Sequence, residues 1–320
     1  MGQISMRIFR IDLKSAARIA ISLALILALI YISDPKATVS AILTASPYYL
    51  VLAVILKSLV MLIYTLRWMS ILHTMGHRLS MAVVHQALMA SAFISDFTPA
   101  RAGDLTRPLF INDDVRMSRG LASIIIDHWA ELITASLLGL LGVLIIVPPW
   151  GRYNIAILVY LLGVAGMLSL VLFRGNLVRD LSGRTGLKWI IDATESFYSV
   201  LEGIKDVPRM LVTAMAITMV VWLIHALRIV AIGKALGYEV PVIPLIFLLP
   251  IVNFIAAVPI TLSGLGLLEG GITAVMVMMG LPTTQGLSIA LIDRAMSVAY
   301  HALVGSRYAS RLIYAKMGND

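Results

Sequence analysis

Ser123, Asp127, Glu131 and Thr134 follow one another at steps of four, four and three, the spacing that puts side chains on one face of a helix. His128 stands beside this stripe. Two carboxylates one turn apart repel unless a cation or a proton reaches them. Either a cation such as Arg294, Lys57 or Arg228 neutralises one of them, or at least one carries an exchangeable proton. A second group gathers Arg101, Asp104 and Arg107 around Gly103, between Pro99 and Pro108. Two guanidiniums suit bidentate capture of a phosphodiester, with Asp104 holding one in place; the alternative is a loop of solvated charges. A third group is Ser263-Gly264-Leu265-Gly266 with Glu269 beyond it. Its glycines permit close backbone approach, and the helix that follows opens with exposed amides. That makes an anion site, or else a tight turn between packed helices. His225 with Arg228, then Asp293, Arg294, Ser297 and His301, complete the set.

Other chemistries find no support in the spacing. There is no Ser–His–acid set with local context, no phosphate-binding loop and no cysteine, which removes disulfides and thiolate metal sites. His73 and His77 are four apart, but no third ligand lies near them, so they read as solvated side chains. Gly264–Glu269 is not a dinucleotide fingerprint, because the position three after Gly266 is Glu269 and no strand precedes it. The expectation is a protein with no catalytic constellation, no metal and no cofactor.

The elements that must position these groups are helices in lipid. Of 320 residues 60% are hydrophobic and 13% charged, with mean hydropathy +0.94, whereas about a quarter of a soluble domain is charged. Apolar runs of membrane-crossing length recur near 16–33, 48–66, 120–147, 154–173, 211–233, 242–258, 267–281 and 288–305. Four basic residues precede the first run, and an uncleaved first helix fits the many spans that follow better than a signal peptide. Met81–Phe97 is at the short limit for a crossing and runs straight into Asp104 and its arginines. The fold class expected is all-α: a polytopic bundle of about eight transmembrane helices plus one or two re-entrant hairpins, one domain over 1–320. Residues 174–209 form a cytoplasmic amphipathic segment.

Charge placement favours a return at Met81–Phe97. With the N-terminus cytoplasmic and that segment dipping in and out, about 19 Lys and Arg lie inside. Lys36, Arg152 and Lys234 lie outside, and Lys57, Arg228 and Arg294 within the membrane. A crossing instead gives about 8 inside and 14 outside, against the positive-inside tendency. Both termini are then cytoplasmic. The net charge of +8 faces anionic lipid headgroups rather than nucleic acid. Phe97–Asp104 and Val258–Glu269 echo each other as apolar end, Pro, Gly, acid, and two opposed hairpins of this kind would make an inverted repeat.

These segments resemble the lysylphosphatidylglycerol synthase transmembrane-region family of flippase-like membrane proteins. The resemblance rests on Arg67-Trp68, on Thr98-Pro-Ala-Arg-Ala-Gly-Asp-Leu-Thr-Arg107, and on Asp127-His128-Trp-Ala-Glu131. Pro259 to Glu269, with its Gly-x-Gly, and Arg294 extend it over nearly the whole chain. Asp127-His128 stands where the family usually shows glutamate-arginine, and Ala100 and Ser263 where glycine is common. No aminoacyl-transferase sequence follows the last helix, so the resemblance implies the lipid-translocating half without the lipid-modifying half.

Together these readings predict a cytoplasmic-membrane transporter that moves a phospholipid or lipid-linked intermediate between leaflets. Arg101, Gly103, Asp104 and Arg107, with Gly264, Gly266 and Glu269, would contact the headgroup; Asp127, Glu131 and Arg294 would line the polar path. A second copy of the chain or a lipid-modifying enzyme is the protein partner such a bundle would take. The rival readings are a membrane transferase using Asp104, Glu131 or Glu269 as general base, and a non-catalytic partner of a lipid-synthesis or glycosyltransferase enzyme.

Overall fold

A computed structural model describes residues 13–32, 34–98, 102–146, 163, 206–256 and 260–310. The helix expected over 154–173 and most of the amphipathic segment over 174–209 lie outside the described residues. Nine α-helices are described: α1 Leu13–Ile32, α2 Pro35–Leu43, α3 Pro47–Thr74, α4 Met81–Asp96, α5 Met117–Ile146, α6 Val207–Ala235, α7 Val242–Ala256, α8 Leu267–Met278 and α9 Thr283–Tyr300. A 3-10 segment, Ala102–Phe110, joins α4 to α5, and a π turn, His301–Gly305, carries α9 on to Ser310. No β-strand occurs among the described residues.

Local chemistry sets the boundaries. Prolines stand in the first turns of α2, α3 and α6, where a missing N–H is harmless and the fixed φ already suits a helix. Asp34 caps α2 by accepting from the Lys36 and Ala37 amides. Gly76, at φ 89°, ends α3 while the His77 amide returns to the Leu72 carbonyl, a left-handed stop that glycine makes without strain.

Among the described residues four helices are long and apolar enough to cross a membrane: 47–74, 117–146, 207–235 and 283–310. A fifth span arises if 20–31 and 35–43, bent by 90°, count as one. Two runs read as crossing helices come out shorter. Residues 242–258 become α7 at 15 residues and 267–281 become α8 at 12. A straight crossing needs about 20, so neither reaches across alone. They pack on each other through Gly271, where an added Cβ would run into the Val252 side chain.

The centre of the bundle is α3 against α6. Ala53, Val60, Trp68 and Leu72 meet Val221, Ala226, Ile229 and Ile232, all with almost no exposure. Leu43, Ile55, Leu144, Ile145, Val212 and Ile243 instead face outward, as lipid-facing positions should. Lipid gives apolar helices little reason to associate, so small residues that admit close contact carry the packing. Gly142 lies where a Cβ would sit 2.8 Å from Phe247 Cβ, and Gly305 abuts the Met89 carbonyl and Phe93.

The 3-10 segment folds back onto α4. A Cβ on Gly103 would collide with the backbone of Ile94 and Ser95, and the Gly103 amide donates to Thr98 Oγ1 at 2.8 Å. Arg67 and Arg107, counted above among loop charges, are 2% and 8% exposed. Removing both leaves about seventeen basic residues on the proposed inner side against three outside.

Candidate functional site

α3 does not stop at Leu66. The residues after Arg67 remain apolar, and the helix continues two turns to Thr74, which places Arg67 inside the bundle. There it uses all three guanidinium nitrogens. Nε donates to Asp127 Oδ1 at 2.7 Å, Nη2 to Glu131 Oε2 at 3.0 Å and Nη1 to Thr218 Oγ1 at 2.9 Å. Its guanidinium also lies 4.8 Å from the Tyr64 ring centroid. Arg107 arrives from the 3-10 segment and is equally committed: Nη1 to Asp127 Oδ2 at 2.9 Å, Nη2 to Asp104 Oδ1 at 3.1 Å and Nε to Ser91 Oγ at 3.3 Å. Asp127, 1% exposed, is thus clasped by two arginines.

The acidic stripe is therefore neutralised by cations, and the cations are Arg67 and Arg107 rather than Arg294, Lys57 or Arg228. The stripe's hydroxyls are spent locally. Ser123 Oγ accepts from Trp68 Nε1 at 2.9 Å, and Thr134 Oγ1 donates back to the Ala130 carbonyl. Both residues are fully buried, and they do not extend a wet path along the helix.

The network predicts unequal roles for the two acids. Asp127 has both oxygens bonded to buried arginines, whereas Glu131 has one and is 20% exposed. Asp127→Asn is expected to cost roughly 3 kcal/mol or more by stranding two buried cations. Glu131→Gln, which keeps an acceptor for Arg67, is expected to cost about 1 kcal/mol. Thermal unfolding of the two variants in detergent checks this, and equal losses would contradict it.

On the other side of the bundle α6, α8 and α9 supply a second charged group. Arg228 Nη2 lies 2.9 Å from Asp293 Oδ1 and 3.1 Å from Oδ2, and its Nη1 reaches Ser297 Oγ at 3.5 Å. Arg294 Nε is 3.5 Å from Glu269 Oε1. At the π turn His301 Nδ1 meets Asp96 Oδ2 at 2.7 Å, tying the end of α4 to the last helix. π turns often mark places where a helix re-aims a functional side chain.

Both groups face one cavity of about 180 Å³. Lys57, Asp104, Arg107, Glu131, Glu269, Asp293 and Arg294, all singled out in the sequence, stand on its wall, and Arg67 joins them. Asp127 lies behind, bonded to two wall arginines. The α4/3-10 return and the α7/α8 pair, the two echoing segments, contribute from opposite ends of the chain. Arg101 lies outside the described residues. Gly103 is a packing contact on α4.

The glycine turn works differently from an open anion site. Glu269 Oε2 itself accepts from the Gly266 amide at 2.6 Å, so the helix's own carboxylate takes the first free N–H. Gly264 and Gly266 hold φ of 73° and 86°. A Cβ on Gly266 would sit 2.5 Å from Leu25 Cβ of α1; its role is to let α1 approach.

Sequence reasoning named Arg67 only as a mark of resemblance. Lys57, Met61, Tyr64 and Arg67 all face the cavity, at steps of four, three and three, so the helical face was there to be read. Trp222, also on the wall, carried no signal in the sequence.

Comparison with known proteins finds membrane-protein relatives along most of the chain. A UPF0104 membrane protein of Methanothermobacter thermautotrophicus is 25% identical over 292 residues, covering 81% of this chain and 82% of its own. A second from the same organism is 23% identical, covering 94% and 98%. One from Methanocaldococcus jannaschii is 21% identical, covering 94% and 95%. No solved structure matches. Residues 15–305 match the family described as the lysylphosphatidylglycerol synthase TM region. The chain is a membrane protein of the lysylphosphatidylglycerol synthase transmembrane-region family.

Proposed function

We propose that this protein is a flippase-like transporter of the cytoplasmic membrane that moves a phospholipid or lipid-linked intermediate between leaflets, with both termini cytoplasmic. The observation that carries the reading is the cavity. Five basic and five acidic side chains line about 180 Å³ in the middle of an apolar bundle. Each ionised group in hydrocarbon costs several kcal/mol unless it is paired or wetted. A purely structural bundle would bury far fewer of them. A polar chamber in an apolar shell is what a headgroup needs while its acyl chains remain in lipid, and the α4/3-10 return and the α7/α8 pair give it a wall from each half of the chain.

The proposed protein is a carrier and not an enzyme. Asp104, Glu131 and Glu269, the candidate general bases, are each engaged by an arginine, which suits holding charge better than accepting a proton. Vesicles containing the purified chain and a phospholipid labelled in one leaflet should redistribute the label. The same vesicles given an activated glycosyl or acyl donor should form no new lipid. Product formation would favour a transferase, and neither outcome would leave a partner role.

A further inference from the structure

The two charged groups on the cavity wall differ in how completely they are satisfied. On one side Arg67 and Arg107 have every guanidinium nitrogen bonded to protein, and three acids (Asp104, Asp127, Glu131) face these two arginines. A ligand anion would meet an excess of negative charge there, and every arginine nitrogen already holds one protein acceptor. On the other side two acids face two arginines, and N–H groups are left over. Arg228, 5% exposed, has no acceptor for Nε, and Trp222, 4% exposed, has none for Nε1. Arg294 has Glu269 as its partner among the described residues, 3.5 Å from Nε, with no hydrogen bond formed. All three residues line the cavity.

Guanidinium and indole nitrogens donate and never accept, so these three lack acceptors; Glu269 Oε1 and Asp293 Oδ1 beside them stand in ion pairs without a hydrogen bond of their own. Buried polar groups rarely go unpaired. Three unpartnered donors on residues of one cavity wall, two of them cations, suit an oxygen-rich anion, and the planar guanidinium favours the tetrahedral oxygens of phosphate. We propose that Trp222, Arg228 and Arg294 form a phosphate-oxygen subsite within the cavity, while the Arg67/Arg107 network is its scaffold. The inference rests on the transporter reading for its source of phosphate, a lipid headgroup; a free phosphate ion carries the same chemistry.

The test uses the full chain in detergent. Its thermal stability is measured with phosphatidylglycerol, with diacylglycerol, which has the same chains and no phosphate, and with inorganic phosphate. Phosphatidylglycerol should stabilise and diacylglycerol should not. Trp222→Phe removes one N–H and keeps an aromatic ring, and should weaken the phosphatidylglycerol effect about fivefold; Arg294→Lys should weaken it about tenfold, the scale of losing a hydrogen bond to a charged group. Stabilisation by inorganic phosphate with the same dependence on Trp222 and Arg294 would identify a free anion as the source. No phosphate-dependent stabilisation, or an undiminished effect in both variants, overturns the subsite. Leaflet redistribution is scored separately. Wild-type transport that is unaffected in both variants leaves the transporter standing and the subsite refuted. Phosphate binding without transport does the reverse.

Discussion

Arg67→Leu should destabilise the bundle by roughly 3 kcal/mol, because it removes a buried cation that two carboxylates share. Asp127 would keep Arg107 alone, and Glu131 would lose its arginine. Arg67→Lys should fall between, since an ammonium cannot span Asp127, Glu131 and Thr218 at once as the guanidinium fork does. Adding Asp127→Leu to Arg67→Leu should recover part of the loss if the pair is coupled. Chemical or thermal unfolding in detergent reads all three. A wild-type melting temperature for Arg67→Leu would mean that Arg67 does not anchor the three helices.

Gly103→Val should have an effect of similar size by a different route. The Cβ would enter the space of the Ile94 and Ser95 backbone, and backbone yields less readily than a side-chain tip, so the cost should exceed the ~1–3 kcal/mol typical of overpacking. The 3-10 segment would be pushed off α4, taking Asp104 and Arg107 out of the cavity wall. Gly270→Ala is the control. Its Cβ would meet Leu29 at 3.7 Å, an ordinary contact, and should change stability by about 0.5 kcal/mol or less. Protease accessibility of 97–116 distinguishes a displaced segment from general unfolding. Protection equal to wild type in Gly103→Val would show that the return does not depend on this contact.

Much of the architecture was legible because hydrocarbon imposes simple demands. Long apolar runs give the helices, and ionisable residues within them must converge. Asp127, Glu131, Glu269 and Arg294 were therefore visible as site candidates. What the sequence hid was the partnering. Arg67 looked like a loop residue because a charge commonly ends an apolar run, yet Trp68, Ile71 and Leu72 behind it are among the most buried residues of the protein. Arg107 looked like a headgroup ligand, but its reach into the bundle depends on a return fixed by Gly103, which no periodicity encodes. The pairing of Arg228 with Asp293 is likewise tertiary: 65 residues separate them. Spacing along a helix shows which residues share a face, and only the packing shows which face meets which.

The most direct measurement is redistribution of a fluorescent phospholipid between leaflets of vesicles containing the full chain, compared with the same chain carrying Ala92→Trp. Ala92 stands on the cavity wall and makes none of the ion pairs. An indole there would fill much of a cavity of about 180 Å³ while the charged network remains. The cavity as lipid path predicts rapid redistribution with the wild-type chain and a loss of about tenfold or more in the variant, at equal insertion and comparable thermal stability. Equal rates for the two chains, or a wild-type rate no faster than protein-free vesicles, would contradict it.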